Sequence, residues 1–154
     1  MSQSPTPSTQ PTFAIEKLFV KDLSIEVPNA PKIFLERETP QIEIQLNNNA
    51  GPIDNGYFEA TLNVTVTAKL GERIVFLVEA SQAGVFQIRN VPEADMDMVL
   101  GVTCPNILFP YLREVVSDSV VRAGFAPVLL NPVNFEAIYQ AQKQAKIQPA
   151  GATH

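Results

Sequence analysis

Through the first half of the chain, apolar and polar residues alternate every second position, the period of a β-strand with one dry face and one wet face. Over residues 57–70, Phe58, Ala60, Leu62, Val64, Val66, Ala68 and Leu70 alternate with Tyr57, Glu59, Thr61, Asn63, Thr65, Thr67 and Lys69. A strand is predicted there. Gly71 and Glu72 make a tight turn into a second long strand over 74–88, where Ile74, Phe76, Val78 and Ala80 share a face opposite Val75, Leu77 and Glu79. So short a link makes the two strands antiparallel neighbours. Residues 13–27 put Phe13, Ile15, Phe19, Leu23, Ile25 and Val27 on odd positions, with Glu16, Asp22, Ser24 and Glu26 among the even ones. Leu18 and Val20 break that parity, so the predicted strand carries an interruption over 17–21. PNAP at 28–31 ends it. Residues 41–46 alternate again, with Ile42, Ile44 and Leu46 on one face, and NNNAGPIDNG at 47–56 reads as a loop of about ten residues.

The period then changes. Pro92 opens an acidic stretch, Glu93, Asp95 and Asp97, suited to a helix N-terminus. After CPNILFP, residues 111–123 carry Leu112, Val115, Val116, Ser119, Val120 and Ala123 at helical spacing, and Gly124 supplies a stop. A further helix begins at Asn134 as cap and carries Ile138 and Tyr139. Strands followed by helices, without βαβ alternation, make an α+β domain: a four-stranded antiparallel sheet packed on a long helix plus a second, C-terminal helix. Its expected limits are residues 13–142. Residues 1–12, with Pro5, Pro7 and Pro11 among Ser, Thr and Gln, read as disordered, and 143–154 as a flexible tail.

Composition removes function classes more than it adds them. One Cys and one His leave no internal disulfide and no Cys/His zinc site, and His154 is the terminal residue. No catalytic residue, metal or cofactor is expected. The seven glycines stand too far apart for a GxGxxG or GxxxxGK phosphate loop. A net charge of -5 without Lys or Arg runs disfavours nucleic acid and suits a basic protein partner. No segment holds the roughly 18 apolar residues in a row that a bilayer span needs, so no direct membrane insertion is expected, and the lone unpaired Cys makes a cytoplasmic location the expectation. Asp22 and Glu26 lie on one strand face with Ser24 between them, and Glu79 occupies another long strand. These are either ordinary solvated positions or a flat acidic docking surface. Ile33, Phe34, Leu35, Ile42, Ile44, Leu46, Val128, Leu129 and Leu130 exceed what a small four-stranded core needs, which suggests surfaces covered by other chains.

Several unbroken segments, KDLSIEVPNAPKIF at 21–34, LNVTVTAKLGE at 62–72, CPNILFPYLRE at 104–114 and LNPVNFEAIY at 130–139, resemble the SecB protein-export chaperones. The resemblance implies an ATP-independent cytosolic holdase, without enzymatic activity, that binds unfolded precursor proteins and passes them to the SecA translocation ATPase. It also implies a homotetramer arranged as a dimer of dimers. Matched by position, Asp22, Glu26, Leu77 and Glu79 would dock SecA, and Ile42, Ile44 and Leu46 would line a client groove. Phe34, Leu129, Ile138 and Tyr139 extend that groove by proximity of motifs, and Phe76, Val78, Val116 and Val120 are expected at subunit contacts. A SecB-like chaperone dedicated to one client such as an antitoxin, and a carboxylate-based small-ligand domain, are the alternatives.

Overall fold

The computed structural model describes residues 10–147. The alternating segments form four strands, β1 (Thr12–Glu26), β2 (Gln41–Asp54), β3 (Tyr57–Leu70) and β4 (Arg73–Arg89). They make one antiparallel sheet in the order β1-β4-β3-β2. Gly71, at φ 63°, starts the two-residue turn between β3 and β4 as expected.

β2 corrects the sequence reading. Its pairing with β3 continues through Asn47, Asn48 and Asn49 to Asp54, so residues 47–54 are strand and the turn is only Asn55 and Gly56. Both turn residues have positive φ, 44° and 83°, as a tight Asn-Gly hairpin demands. An edge strand tolerates Pro52 because its outward side needs no ladder donor. Asn47 is held by Asn63, whose Nδ2 donates to its Oδ1 at 2.9 Å.

In β1 the broken parity has a simple cause. Register shifts fall between Ile15 and Lys17 and between Val20 and Asp22, leaving Glu16 and Lys21 as extra residues. Each bulge turns the following side chains over once. Phe13, Ile15, Leu18, Val20, Leu23 and Ile25 therefore all oppose inner-face residues of β4. Phe19, read as their companion, stands opposite Ala83 on the other face instead.

The helical part also starts earlier than the spacing suggested. α1 (Glu93–Met98) runs through a π turn over Val99–Thr103 into α2 (Cys104–Arg122). CPNILFP, placed before the expected helix over 111–123, lies inside this run, with Pro105 near the start of α2 and Pro110 within it. Pro105 has no N–H, and in a regular helix its ring would press on the carbonyl of Gly101; the wider π turn lies just there. α3 (Phe135–Ile147) is capped by Asn134, whose Oδ1 accepts from the Ala137 N–H at 2.9 Å, and extends beyond the expected domain end at 142. The expected disordered and flexible termini lie otherwise outside the described residues, 1–9 and 148–154.

The core lies between α2 and the inner face of β3 and β4. Leu62, Val66, Val78, Phe86, Leu108, Leu112, Val116 and Val120 are completely buried there. This core allows no larger side chain at Gly84, where an added Cβ would stand 2.8 and 2.9 Å from the Phe86 ring and 3.0 Å from Leu18 Cδ2. Gly84→Ala is expected to lower the unfolding free energy by about 1–3 kcal/mol. Gly51→Ala, with nothing within 4 Å, should leave it nearly unchanged; urea melts of the two variants check this contrast.

Candidate functional site

An α-helix with its side chains is about 10–12 Å across, and strands lie about 4.8 Å apart. One helix therefore covers two strands. α2 takes the central pair, and both border strands keep apolar side chains on the inner face uncovered. On β1 these are Phe13, Ile15, Val20 and Leu23, and on β2 Ile42 and Ile44, all exposed.

The β2 border forms a trough. Ile42, Ile44 and Leu46 stand opposite Ala68, Val66 and Val64 of β3. Beyond Ala68 comes Phe76, and Phe125 bridges Phe76 and Phe34 with ring centroids 5.0 Å from each. At the Leu46 end, Ile138 and Tyr139 of α3 join Leu46, Leu62 and Gly101 around a cleft of about 160 Å³. α3 is anchored by Phe135, which is buried and meets Phe109 edge-on at 6.0 Å. Gly101 permits this closure, since a Cβ there would come within 3.3 Å of the Tyr139 ring.

Six of the seven residues assigned to the groove by sequence thus lie along one trough. Leu129 does not. It is 71% exposed and borders Pro110, Arg113 and Val121 on the side of α2 that faces away from the sheet. The sequence reading missed Phe125 and Gly101, whose roles arise from contacts between distant segments.

The outer face is different in kind. Glu26 stands opposite Leu77, Ser24 opposite Glu79 and Asp22 opposite Ser81, so β1 and β4 bring all four predicted docking residues together. Glu79 sits diagonally between Asp22 and Glu26, about 7–8 Å from each along the pleat. Ser81 Oγ donates to Asn63 Oδ1, and Asn63 to Asn47, so a polar ladder crosses the sheet to Asp22's row. Among the described residues no ion pair engages Asp22, Glu26 or Glu79, whereas Glu43 and Glu59 have Lys69 and Lys21 as partners. Three carboxylates spread along an open face do not converge on one reacting atom. Among the described residues no group of three or more His, Cys, Asp or Glu could hold a metal ion.

The four residues expected at subunit contacts lie in the core of the single chain. Phe76, Val78, Val116 and Val120 are at most 2% exposed within one chain, so their side-chain surface is already consumed by its own core. Helical and strand periodicity marks a dry face without saying what dries it. Cys104 is likewise buried, and desolvation pushes its thiol up from 9.0 to about 12.

Extended surfaces on both faces of a single sheet make a scaffold for binding other chains. The sequence model of the family described as preprotein translocase subunit SecB matches residues 6–146. The protein-export protein SecB of Methylobacillus flagellatus is 57% identical over 151 residues, which is 98% of this chain and 96% of that protein. Its counterpart in Aromatoleum aromaticum is 65% identical over 137 residues, 88% of this chain and 86% of that one. A solved SecB-like chaperone from Mycobacterium tuberculosis, in complex with a ChAD peptide from the HigA1 antitoxin, shares the fold at a TM-score of 0.65. It is 16% identical, and the match covers 79% of this chain and 90% of that one. The chain belongs to the SecB family, and it is a protein-export chaperone. No helix among the described residues is long and apolar enough to cross a membrane.

Cys104 offers a pH test of the packing around α2. Because its folded pKa lies above the unfolded value, the stability tied to the neutral thiol is intact below pH 9.0 and is lost as pH rises towards about 12. The native protein should resist thiol alkylation at pH 8 and react only when denatured. Mass spectrometry after iodoacetamide treatment checks this, and rapid labelling of the native chain would contradict it.

Proposed function

We propose that the protein is a cytosolic, ATP-independent holdase that binds unfolded precursor proteins in the β2 trough and delivers them to SecA through the acidic outer face. The observation that carries this reading is the separation of two unlike surfaces on one sheet. The trough is apolar, with Ile42 and Ile44 at 40% and 46% exposure, and Phe34 and Ile138 similarly open. Hydrophobic burial is non-directional, so such a surface accepts many unfolded sequences. Beside it, the free edge of β2 can add main-chain hydrogen bonds to an extended client. The peptide bound to the Mycobacterium chaperone supports the same reading for this chain.

Binding unfolded chain lowers its free concentration by mass action, so holding needs no catalytic group. The outer face suits a basic partner because Asp22, Glu26 and Glu79, in no ion pair among the described residues, surround the half-buried Leu77. Charge of this kind speeds encounter and weakens with salt.

A homotetramer completes the reading. Phe13, Ile15, Val20 and Leu23 form an apolar border on β1 that a second copy would cover. Nearby, Gln82 is buried in the cleft between β1 and α2, and its Oε1 has no hydrogen-bond partner among the described residues. A donor from another copy would satisfy it. Several troughs on one assembly would then hold a single client through effective concentration.

Replacing Asp22, Glu26 and Glu79 together by Lys should weaken SecA binding by tenfold or more, on the order of 1.4 kcal/mol, while client holding persists. Calorimetric titration measures it, and undiminished affinity would overturn the docking assignment. Ile44→Asp with Leu46→Asp should cost client affinity by about tenfold or more and leave SecA binding intact. Suppression of client aggregation is the readout, and equal loss of both activities would point to misfolding.

A further inference from the structure

The outer face contains cations as well as acids, and where they are held matters for any basic partner. Lys21 is the extra residue of the second β1 bulge, immediately before Asp22. Left free, its ammonium would be next to the carboxylates that carry the docking surface. It is not free. Lys21 Nζ donates to both oxygens of Glu59 at 2.9 Å each. Glu59 belongs to β3 and Lys21 to β1, with β4 between them, so the lysine stem crosses a whole strand to reach its partner.

The bulge is what lets Lys21 and Asp22 share this face. Without the extra residue, Lys21 would itself stand opposite Ser81 on the outer face and Asp22 would alternate to the inner face. With it, Lys21 leans towards Glu59, which stands in the row of Val85 and Lys17, two rows along from Asp22. Lys69 is drawn off in a similar way, 4.0 Å from Glu43 on β2. Lys21 and Lys69 are thereby paired, while Asp22, Glu26 and Glu79 have no ion pair among the described residues.

We infer that Glu59 is a positioning residue for partner docking: it holds Lys21 away from Asp22 and so keeps the Asp22–Glu26–Glu79 surface negative. This rests on the reading that SecA docks there. The pair is half-exposed, with 50% of the Lys21 and 31% of the Glu59 side chain open to solvent, so its own contribution to stability is small. Its consequence is for binding. Removing the Glu59 charge releases a flexible cation whose nearest acidic neighbour in sequence is Asp22.

A double-mutant cycle on SecA affinity tests this with four full-length proteins: the natural chain, Glu59→Gln, Lys21→Gln, and both together. Glu59→Gln should weaken binding by roughly threefold to fivefold, and adding Lys21→Gln should restore it to within about twofold of the natural chain. Lys21→Gln alone should change affinity less than it does in the Glu59→Gln background. Lys17 keeps its charge in all four proteins and cancels from the comparison. If charge acts only at long range, the two substitutions add, and an additive cycle overturns the inference. Client holding and thermal midpoint serve as controls and should not move by more than the scatter among the four. The Lys-substituted Asp22, Glu26, Glu79 protein runs alongside. If it binds SecA undiminished, the docking reading fails and this inference with it; if it binds weakly while the cycle is additive, only the role of Glu59 is lost.

Discussion

A single helix is too narrow to cover a four-stranded sheet, and the surfaces of this protein follow from that mismatch. α2 spans the central strands and seals Leu62, Val66, Val78 and Phe86 beneath Leu108, Leu112, Val116 and Val120. The border strands are left with apolar side chains facing the helix layer but not covered by it. A larger helical layer would have buried Ile42, Ile44, Val20 and Leu23 and left a sheet with nothing to offer on that side. The second helix, α3, narrows one border into a trough without closing it, because Tyr139 seats on Gly101 and not on the strand. Exposure that would count as a defect in an isolated domain is here the material of a binding surface.

The same sheet serves a second, polar surface because strand side chains alternate strictly between faces. Ile44 and Gln45 are successive residues, yet one belongs to the row of Val66 and Val78 and the other to the row of Thr65 and Glu79. Such sorting fails with a slip of one residue. β1 avoids the failure by two compensating bulges, the first at Glu16 and the second at Lys21, which keep Leu23 and Ile25 inward and Asp22, Ser24 and Glu26 outward. The second bulge also sets the position of Lys21, which Glu59 engages across β4. Fold, register and electrostatics are therefore one problem in this strand.

How much of this could be read without coordinates depended on whether the signal was local. The strands β3 and β4, their turn at Gly71 and the acidic residues on one face were legible, because each is set by period two over many consecutive residues. The extension of β2 was hidden by Asn47–Asn49, Gly51 and Pro52, which carry turn chemistry but are tolerated on an edge. The start of α2 was hidden by Pro105, beside which the π turn lies, and by Pro110 within the helix. Periodicity identified Phe76, Val78, Val116 and Val120 as dry but could not tell a chain's own core from a contact with another copy. Leu129 was assigned to the trough by proximity of motifs, and the backbone carries it to the far side of α2. Phe125 and Gly101 matter through partners far along the chain, Phe34 and Tyr139, which no local pattern reports.

The claim that joins these features is that neighbouring residues on one strand address different partners. Site-specific photo-crosslinking from Ile44 and from Gln45 measures it directly, in a mixture of the protein, an unfolded client and SecA. Crosslinks from Ile44 to client alone and from Gln45 to SecA alone are the predicted result. Client crosslinks of equal yield from both positions would show that the two faces do not divide the work, and would contradict it.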